Sequence, residues 1–148
     1  LGVDGQPDPE VFALTRTALA DLAADDVHAK SRVLAYQARL LVLHGLGPQL
    51  DVCAVSGDAC PPGRPAYFDP ARGAIVRRRY AGEGHLLVSA VARTRLRAAL
   101  RGELGPTPWP EDAQAGVAAL LQAHVRAQLG KDLGGADALA RDALSPRR

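Results

Sequence analysis

The sequence predicts a mostly α fold: a helical bundle of four to five helices with an inserted small β-ribbon. The apolar residues, 47% of the chain, are mainly Ala, Leu and Val, and long Ala/Leu/Arg-rich stretches favour helix over sheet. Between residues 45 and 84 the helical period disappears and Gly, Pro and Asp become frequent. We therefore expect one domain over 1–148, with a helix pair over 1–44, an irregular module over 45–84, helices over 85–144 and a polar tail over 145–148.

The first helix is predicted after Asp8 as N-cap, with Pro9 at its first position and an apolar stripe that continues to residue 22. A second helix is predicted over residues 27–44, where Gly45 supplies the stop. The two stripes predict that these helices pack antiparallel. Within the irregular module, residues 66–69 and 74–79 are predicted to form two short strands around the turn 69–73, which has Pro early and Gly late.

The second half of the chain predicts more helices. One is expected over residues 85–100, with three apolar side chains on its buried side: Leu87, Val91 and Leu96. After a Pro-rich connection, in which Trp109 is expected to cap the helix core, another helix is predicted over 111–129 and ends at Gly130. Residues 135–144 are predicted to add a short fifth helix.

Positive charge is concentrated in the middle of the chain. Residues 64–101 hold nine Arg against two acids, whereas residues 1–26 hold six acids against one Arg. The spacing of Arg93, Arg97 and Arg101 places them on one helix face. A basic face attracts phosphates by counterion release, although charged helix faces are more often simply solvated. Basic clustering without interleaved aromatics is therefore only a weak indication of nucleic-acid binding.

Several classes of protein have little support in the sequence. No apolar run approaches the roughly 20 residues of a membrane span, and residue 1 is not followed by a signal-peptide pattern, so we expect a cytoplasmic protein. Catalytic motifs are not recognisable, and we expect no enzyme; His44 and His124 fit core or boundary positions, and His28 and His85 fit local hydrogen bonding near helix starts. Cys53 and Cys60 are expected to be free thiols. Because the chain begins at Leu1 and contains no Met, we expect it to be a piece of a longer one.

Residues 40–57 read LLVLHGLGPQLDVCAVSG and resemble the signature of RecO, a family of bacterial recombination mediators. In that family an apolar helix leads into a pattern like L-L-x-x-x-G-x-x-P-x-L-x-x-C-x-x-C-G, followed by an aromatic strand and G-G-x-x-C-x-x-C. Tyr67 and Phe68 stand at the aromatic strand, residues 73–76 at the G-G-x-x, and residues 130–133 at the turn that closes the last long helix. The resemblance covers almost the whole chain.

The resemblance departs from the family at the four cysteines that hold zinc. Cys53 stands at the first, but Ser56, Arg77 and Tyr80 stand at the other three. Structural zinc takes four sulfur or nitrogen donors, so we predict a degenerate knuckle with no metal and no cofactor. Rescue of the site by Cys60, His85 or Asp58 would need another loop path. We expect packing against the helices to hold the ribbon instead, through Tyr67, Phe68, Ile75, Val76 and Tyr80.

RecO-type proteins are non-enzymatic mediators of DNA repair and homologous recombination. The resemblance implies binding of single-stranded and double-stranded DNA, strand annealing, work with RecR, and help to RecA in displacing single-stranded DNA-binding protein, in the cytoplasm at the nucleoid. Family members also carry an N-terminal OB-fold, and we expect this chain to correspond to the C-terminal helical and knuckle part without it. The expected DNA-binding residues are Arg77, Arg78, Arg79, Arg93, Arg97 and Arg101.

An alternative stays open at the level of sequence. The chain could be a protein-interaction module that docks the acidic tail of single-stranded DNA-binding protein, or RecR, without touching DNA. An apolar groove rimmed by arginines would suit an acidic peptide, and the same arginines serve either ligand.

Overall fold

Three α-helices and one three-stranded antiparallel sheet make up the fold in a computed structural model, which describes residues 27–103 and 108–144. The predicted first helix lies outside these residues. Helix predominates, as predicted, but the described residues hold three helices rather than four to five. The elements are α1 (Val27–Leu43), β1 (Ala66–Asp69), β2 (Ala74–Val76), a 3₁₀ turn (Arg78–Tyr80), β3 (Leu86–Val88), α2 (Ala90–Leu100) and α3 (Glu111–Leu144).

Helix α1 confirms the prediction for residues 27–44 and shows how the chain stops it. Gly45 adopts φ 74°, a left-handed conformation that glycine reaches without steric cost. Its N–H donates to the Val42 carbonyl at 2.9 Å, and the N–H of Leu46 donates to the Leu41 carbonyl at 2.8 Å. These two bonds form a Schellman motif, which satisfies the last carbonyls of the helix.

The predicted ribbon is present, but its second strand is shorter than expected. β1 pairs with β2 in the register Tyr67 with Val76 and Asp69 with Ala74. The Asp69 carboxylate accepts the Ala71 N–H at 3.0 Å and closes the predicted turn. β2 ends at Val76 rather than residue 79, because the Arg77 N–H donates to Cys53 Sγ at 3.3 Å and the next three residues form the 3₁₀ turn.

A third strand takes the place of the predicted start of the next helix. β3 pairs with β1 on the side away from β2, so the strand order is β2-β1-β3. Ser89 caps α2, since its hydroxyl accepts the Ala92 N–H at 3.1 Å. The prediction of a helix over 85–100 was therefore wrong at its start. Leu87 and Val91 are 65% and 41% exposed rather than buried, whereas Leu96 is fully buried as predicted.

The C-terminal helix is continuous where two helices were predicted. α3 runs through Gly130, which is not among the glycines with positive φ. A glycine inside a helix costs about 1 kcal/mol relative to alanine but does not by itself end the helix. The stop at Gly130 and the separate fifth helix were therefore wrong.

The core lies between the three helices and one face of the sheet. Ala38 and Leu41 of α1, Leu96 of α2, and Val117 and Leu120 of α3 pack with the inward side chains of the sheet. Trp109 is 1% exposed and joins this core, as its predicted role as a cap requires.

A buried polar contact ties α1 to the start of α3. Ser31 is fully buried, and its hydroxyl accepts the Trp109 N–H at 3.0 Å. The Gln114 side-chain amide in turn donates to the Trp109 carbonyl at 2.9 Å.

Replacement of Ser31 by Ala should lower the free energy of unfolding by about 1–3 kcal/mol, because a buried backbone N–H loses an acceptor. Urea denaturation followed by circular dichroism measures the loss. Thr94→Ala removes an exposed hydroxyl on α2 that bonds within its own helix at 2.9 Å, and should stay within about 0.5 kcal/mol of the wild type. Equal losses in both variants would contradict this role for Ser31.

Candidate functional site

The candidate site is built on a loop that the sequence places between α1 and β1. We call residues 50–64 the knuckle loop. Val52 and Ala59 form an antiparallel bridge within it, the Cys53 N–H donates to the Asp58 carbonyl at 2.9 Å, and the Cys60 N–H donates to the Asp51 carbonyl at 2.8 Å. The loop is therefore a small closed hairpin with its own hydrogen bonds.

Arg93 of α2 holds the knuckle loop against the fold. Its side chain is 1% exposed, and its guanidinium donates to the Leu50 carbonyl at 2.8 and 3.0 Å and to the Pro61 carbonyl at 2.7 Å. It also donates to the Arg64 carbonyl at 3.2 Å and to the Cys60 carbonyl. Burial lowers the pKa of the Arg93 guanidinium, which nevertheless stays charged because an arginine is not deprotonated in proteins.

The predicted stripe of Arg93, Arg97 and Arg101 is not a continuous basic surface. Arg93 is buried, and its donors are committed to backbone carbonyls. Arg97 is half-buried, and its Nε lies 2.5 Å from Asp51 Oδ1 in an ion pair with the knuckle loop. Arg101, at the C-terminal end of α2, is exposed. The i, i+4 spacing correctly placed the three residues on one helix face, but the knuckle loop covers the first part of that face.

The arginine triplet that follows β2 is exposed. Arg77, Arg78 and Arg79 lead into and form the 3₁₀ turn, and all three side chains face solvent. Arg77 donates to the Ala59 carbonyl at 3.2 Å, and its Nε lies 3.9 Å from Asp58 Oδ2. The Arg79 guanidinium carbon lies 5.7 Å from the centre of the Tyr80 ring. Three cations thus stand side by side next to the knuckle loop.

A cavity of about 740 Å³ lies between the knuckle loop, the sheet and this triplet, and we call it the sheet groove. Tyr67 and Leu87 line it from the sheet, Arg64 from the loop, and Arg77 and Arg78 from the end of β2. Arg64, Tyr67 and Leu87 were missed as site residues. The sequence gives no local signal for the strand, because residues 86–88 read Leu-Leu-Val and lack the alternation of polar and apolar residues that indicates a half-buried strand.

Two histidines are engaged in the structure of the fold. His124 is 2% exposed, its Nε2 lies 2.6 Å from the Leu46 carbonyl, and its ring meets Phe68 edge to face at 5.9 Å. Burial lowers the pKa of His124, which fits the core histidine that the sequence predicted. The Nδ1 of His85 accepts the Gly82 N–H at 3.0 Å, and its Nε2 lies 3.4 Å from Asp69 Oδ2.

Residues 1–136 match the family model described as Recombination protein O C terminal. The chain belongs to this family. DNA repair protein RecO of Myxococcus xanthus (strain DK1622) is 32% identical over 143 residues, which cover 95% of this chain and 57% of that protein. DNA repair protein RecO of Desulforudis audaxviator (strain MP104C) is 37% identical over 75 residues, which cover 51% of this chain and 28% of that protein. The chain therefore spans little more than half of the first relative, and no solved structure matches it.

The RecO resemblance of residues 40–57 is thus confirmed at the level of the family. Within the described ranges 27–103 and 108–144, no helix has the length and apolar character needed to cross a membrane.

Two of the other knuckle positions, Ser56 and Arg77, lie at Cys53 in this chain. The thiol is 1% exposed, and its Sγ accepts the Arg77 N–H at 3.3 Å and further hydrogen bonds from Ser56 and Val55. The second and third ligand positions therefore approach the first, as a zinc frame requires. The donor set does not fit zinc, however, because an arginine has no lone pair to give and only one of the four knuckle positions carries a thiol.

These hydrogen bonds favour the thiolate of Cys53. Burial by itself raises the pKa of the thiol, but the hydrogen bonds from Ser56, Arg77 and Val55 outweigh it and lower the pKa from 9.0 to about 7. The ionised form is thus more stable in the folded chain than in the unfolded one. Its contribution to stability is complete above pH 9.0 and is lost as the pH falls through about 7.

Replacement of Ser56 by Ala in a Cys60→Ser background should raise the pKa of Cys53, because the thiolate loses a hydroxyl donor. The ultraviolet absorbance of the thiolate reports this titration directly. Ser56→Thr retains the hydroxyl and should titrate like the parent. Superimposable curves for Ser56→Ala and the parent would show that Ser56 does not stabilise the thiolate.

Proposed function

We propose that this chain acts in DNA repair and homologous recombination as a non-enzymatic mediator of the RecO type. Membership of the RecO family supports this role, and so do two relatives that are named DNA repair proteins. In this proposal the chain binds single-stranded and double-stranded DNA, promotes strand annealing and the loading of RecA, and works with RecR and single-stranded DNA-binding protein in the cytoplasm. It needs neither zinc nor another cofactor.

The observation that carries the DNA-binding part is the exposed triplet of Arg77, Arg78 and Arg79. Among the described residues, Asp58 is the carboxylate that pairs with this triplet, and it does so only at 3.9 Å from Arg77. Exposed cations without close carboxylate partners can exchange their counterions for phosphates, which favours binding at low salt. Arg101 adds an exposed cation at the C-terminal end of α2. The charge of Arg97 is partly neutralised by its ion pair with Asp51.

Buried Arg93 takes a different part in this proposal from the one expected from sequence. Its guanidinium cannot reach a phosphate without leaving the knuckle loop, so it supports the surface instead of forming it. The DNA-contacting set that we propose is therefore Arg77, Arg78, Arg79 and Arg101, with Arg97 at the margin.

Replacement of Arg77, Arg78 and Arg79 together by Gln should weaken binding of a labelled single-stranded oligonucleotide. It should also reduce the slope of log K against log salt by about 2, because each phosphate contact contributes about 0.7. Fluorescence anisotropy across a salt series measures both quantities. Gln substitution of Lys30, Arg32 and Arg126 is the matched control, since it removes the same charge from three exposed positions on α1 and α3.

The control triple should keep most of the wild-type slope. An unchanged slope in the Arg77/Arg78/Arg79 variant would contradict the DNA-binding assignment. Equal losses in both variants would mean that net charge, and not this surface, governs the binding.

A second candidate function is peptide docking without DNA contact. The sheet groove has an apolar floor, where Leu87 is 65% exposed, and arginines at its rim, which suits the acidic tail of single-stranded DNA-binding protein or a segment of RecR. Titration of an acidic, Phe-ended peptide with and without an oligonucleotide competitor separates the two functions. Independent binding of peptide and oligonucleotide would place them on different surfaces.

A further inference from the structure

The outer face of the sheet is covered at the β2 edge and open at the β3 edge. Tyr67 pairs with Val76 on one side and with Leu87 on the other, so these three side chains share the face opposite the core. Val76 is fully buried, Tyr67 is half-buried, and Leu87 is 65% exposed. The sheet groove lies over this open part of β1 and β3, with Tyr67 and Leu87 as its floor.

The lining of the groove carries positive charge. Arg64 comes from the knuckle loop, and Arg77 and Arg78 come from the end of β2. All three are exposed, and none of the residues that line the groove is acidic. At about 740 Å³ the groove has the size of a small-molecule site, with an apolar floor that includes one aromatic ring.

We infer that the sheet groove binds an unpaired base of single-stranded DNA, which lies against Tyr67 and Leu87 while its flanking phosphates contact Arg64, Arg77 and Arg78. This inference rests on the proposed function, because it names the form of DNA and the place where a base is held.

The make-up of the lining favours this occupant. Tyr67 offers a ring on which any base can stack, and the exposed Arg64, Arg77 and Arg78 supply cations for the phosphates on either side of that base. Base faces in a duplex are stacked on their neighbours, so only an unpaired base can reach the floor.

The test compares three ligands of equal length by fluorescence anisotropy: oligothymidine, the same strand without bases, and a duplex. Wild-type protein should bind oligothymidine about tenfold more tightly than the abasic strand, because base stacking adds to the phosphate contacts. Leu87→Ala should remove most of this difference and should leave binding of the abasic strand unchanged. Tyr67→Leu should reduce the difference as well.

Val91→Ala is the matched control, because Val91 is also an apolar residue exposed by 41% and does not line the groove. It should bind all three ligands like the wild type. Thermal unfolding by circular dichroism verifies that each variant is folded.

The outcomes separate the inference from the proposed function. Absence of binding to any of the three ligands at low salt would overturn both. Equal binding of oligothymidine and the abasic strand, both sensitive to the arginine triplet, would overturn the base site and leave the DNA-binding function standing. A Leu87→Ala variant that loses affinity for an acidic, Phe-ended peptide but keeps the oligothymidine preference would assign the groove to a peptide and overturn the inference.

Discussion

The buried guanidinium of Arg93 is the interaction on which the rest of the site depends. This one cation on α2 donates hydrogen bonds to four backbone carbonyls, those of residues 50, 60, 61 and 64, which span the whole knuckle loop. A buried charge without hydrogen bonds costs several kcal/mol, so each of these contacts is needed for the cation to remain inside. A buried arginine also offers five donors in a fixed fork, which a lysine cannot reproduce.

The candidate site follows from this anchor. With the loop held against α2, the Ser56 hydroxyl and the Arg77 N–H meet at Cys53, and Arg64 and Arg77 both line the sheet groove. In the RecO frame four cysteines around zinc would close this part of the chain. Here hydrogen bonds to a single thiol and from one guanidinium join the same segments.

The parts of the fold that were predicted from sequence have strong local signals. The end of α1 depends on Gly45, and the turn after β1 depends on Asp69 and Gly73, so residue type alone indicated both. β3 was missed because a run of three apolar residues next to a helix start cannot be told from one turn of helix by its pattern. The continuity of α3 through Gly130 was missed because glycine permits a stop without requiring one.

The site was harder to predict because the sequence pattern around Arg93 fits either an exposed or a buried arginine. An arginine at helical spacing with two others indicates a basic surface, and nothing local to Arg93 shows that a loop 29 to 43 residues earlier in the chain will cover it. The burial of Arg93 is a tertiary effect. By contrast, the exposed triplet of Arg77, Arg78 and Arg79 could be identified from its sequence, although its conformation could not.

Amide hydrogen exchange of an Arg93→Lys variant tests the central role of this guanidinium most directly. The account predicts that the N–H groups of Cys53 and Cys60, which bond within the knuckle loop, exchange much faster than in the wild type, and that the free energy of unfolding falls by about 3 kcal/mol or more. Arg95→Lys, on the same helix, should leave both unchanged. Wild-type exchange rates and stability in Arg93→Lys would contradict the account.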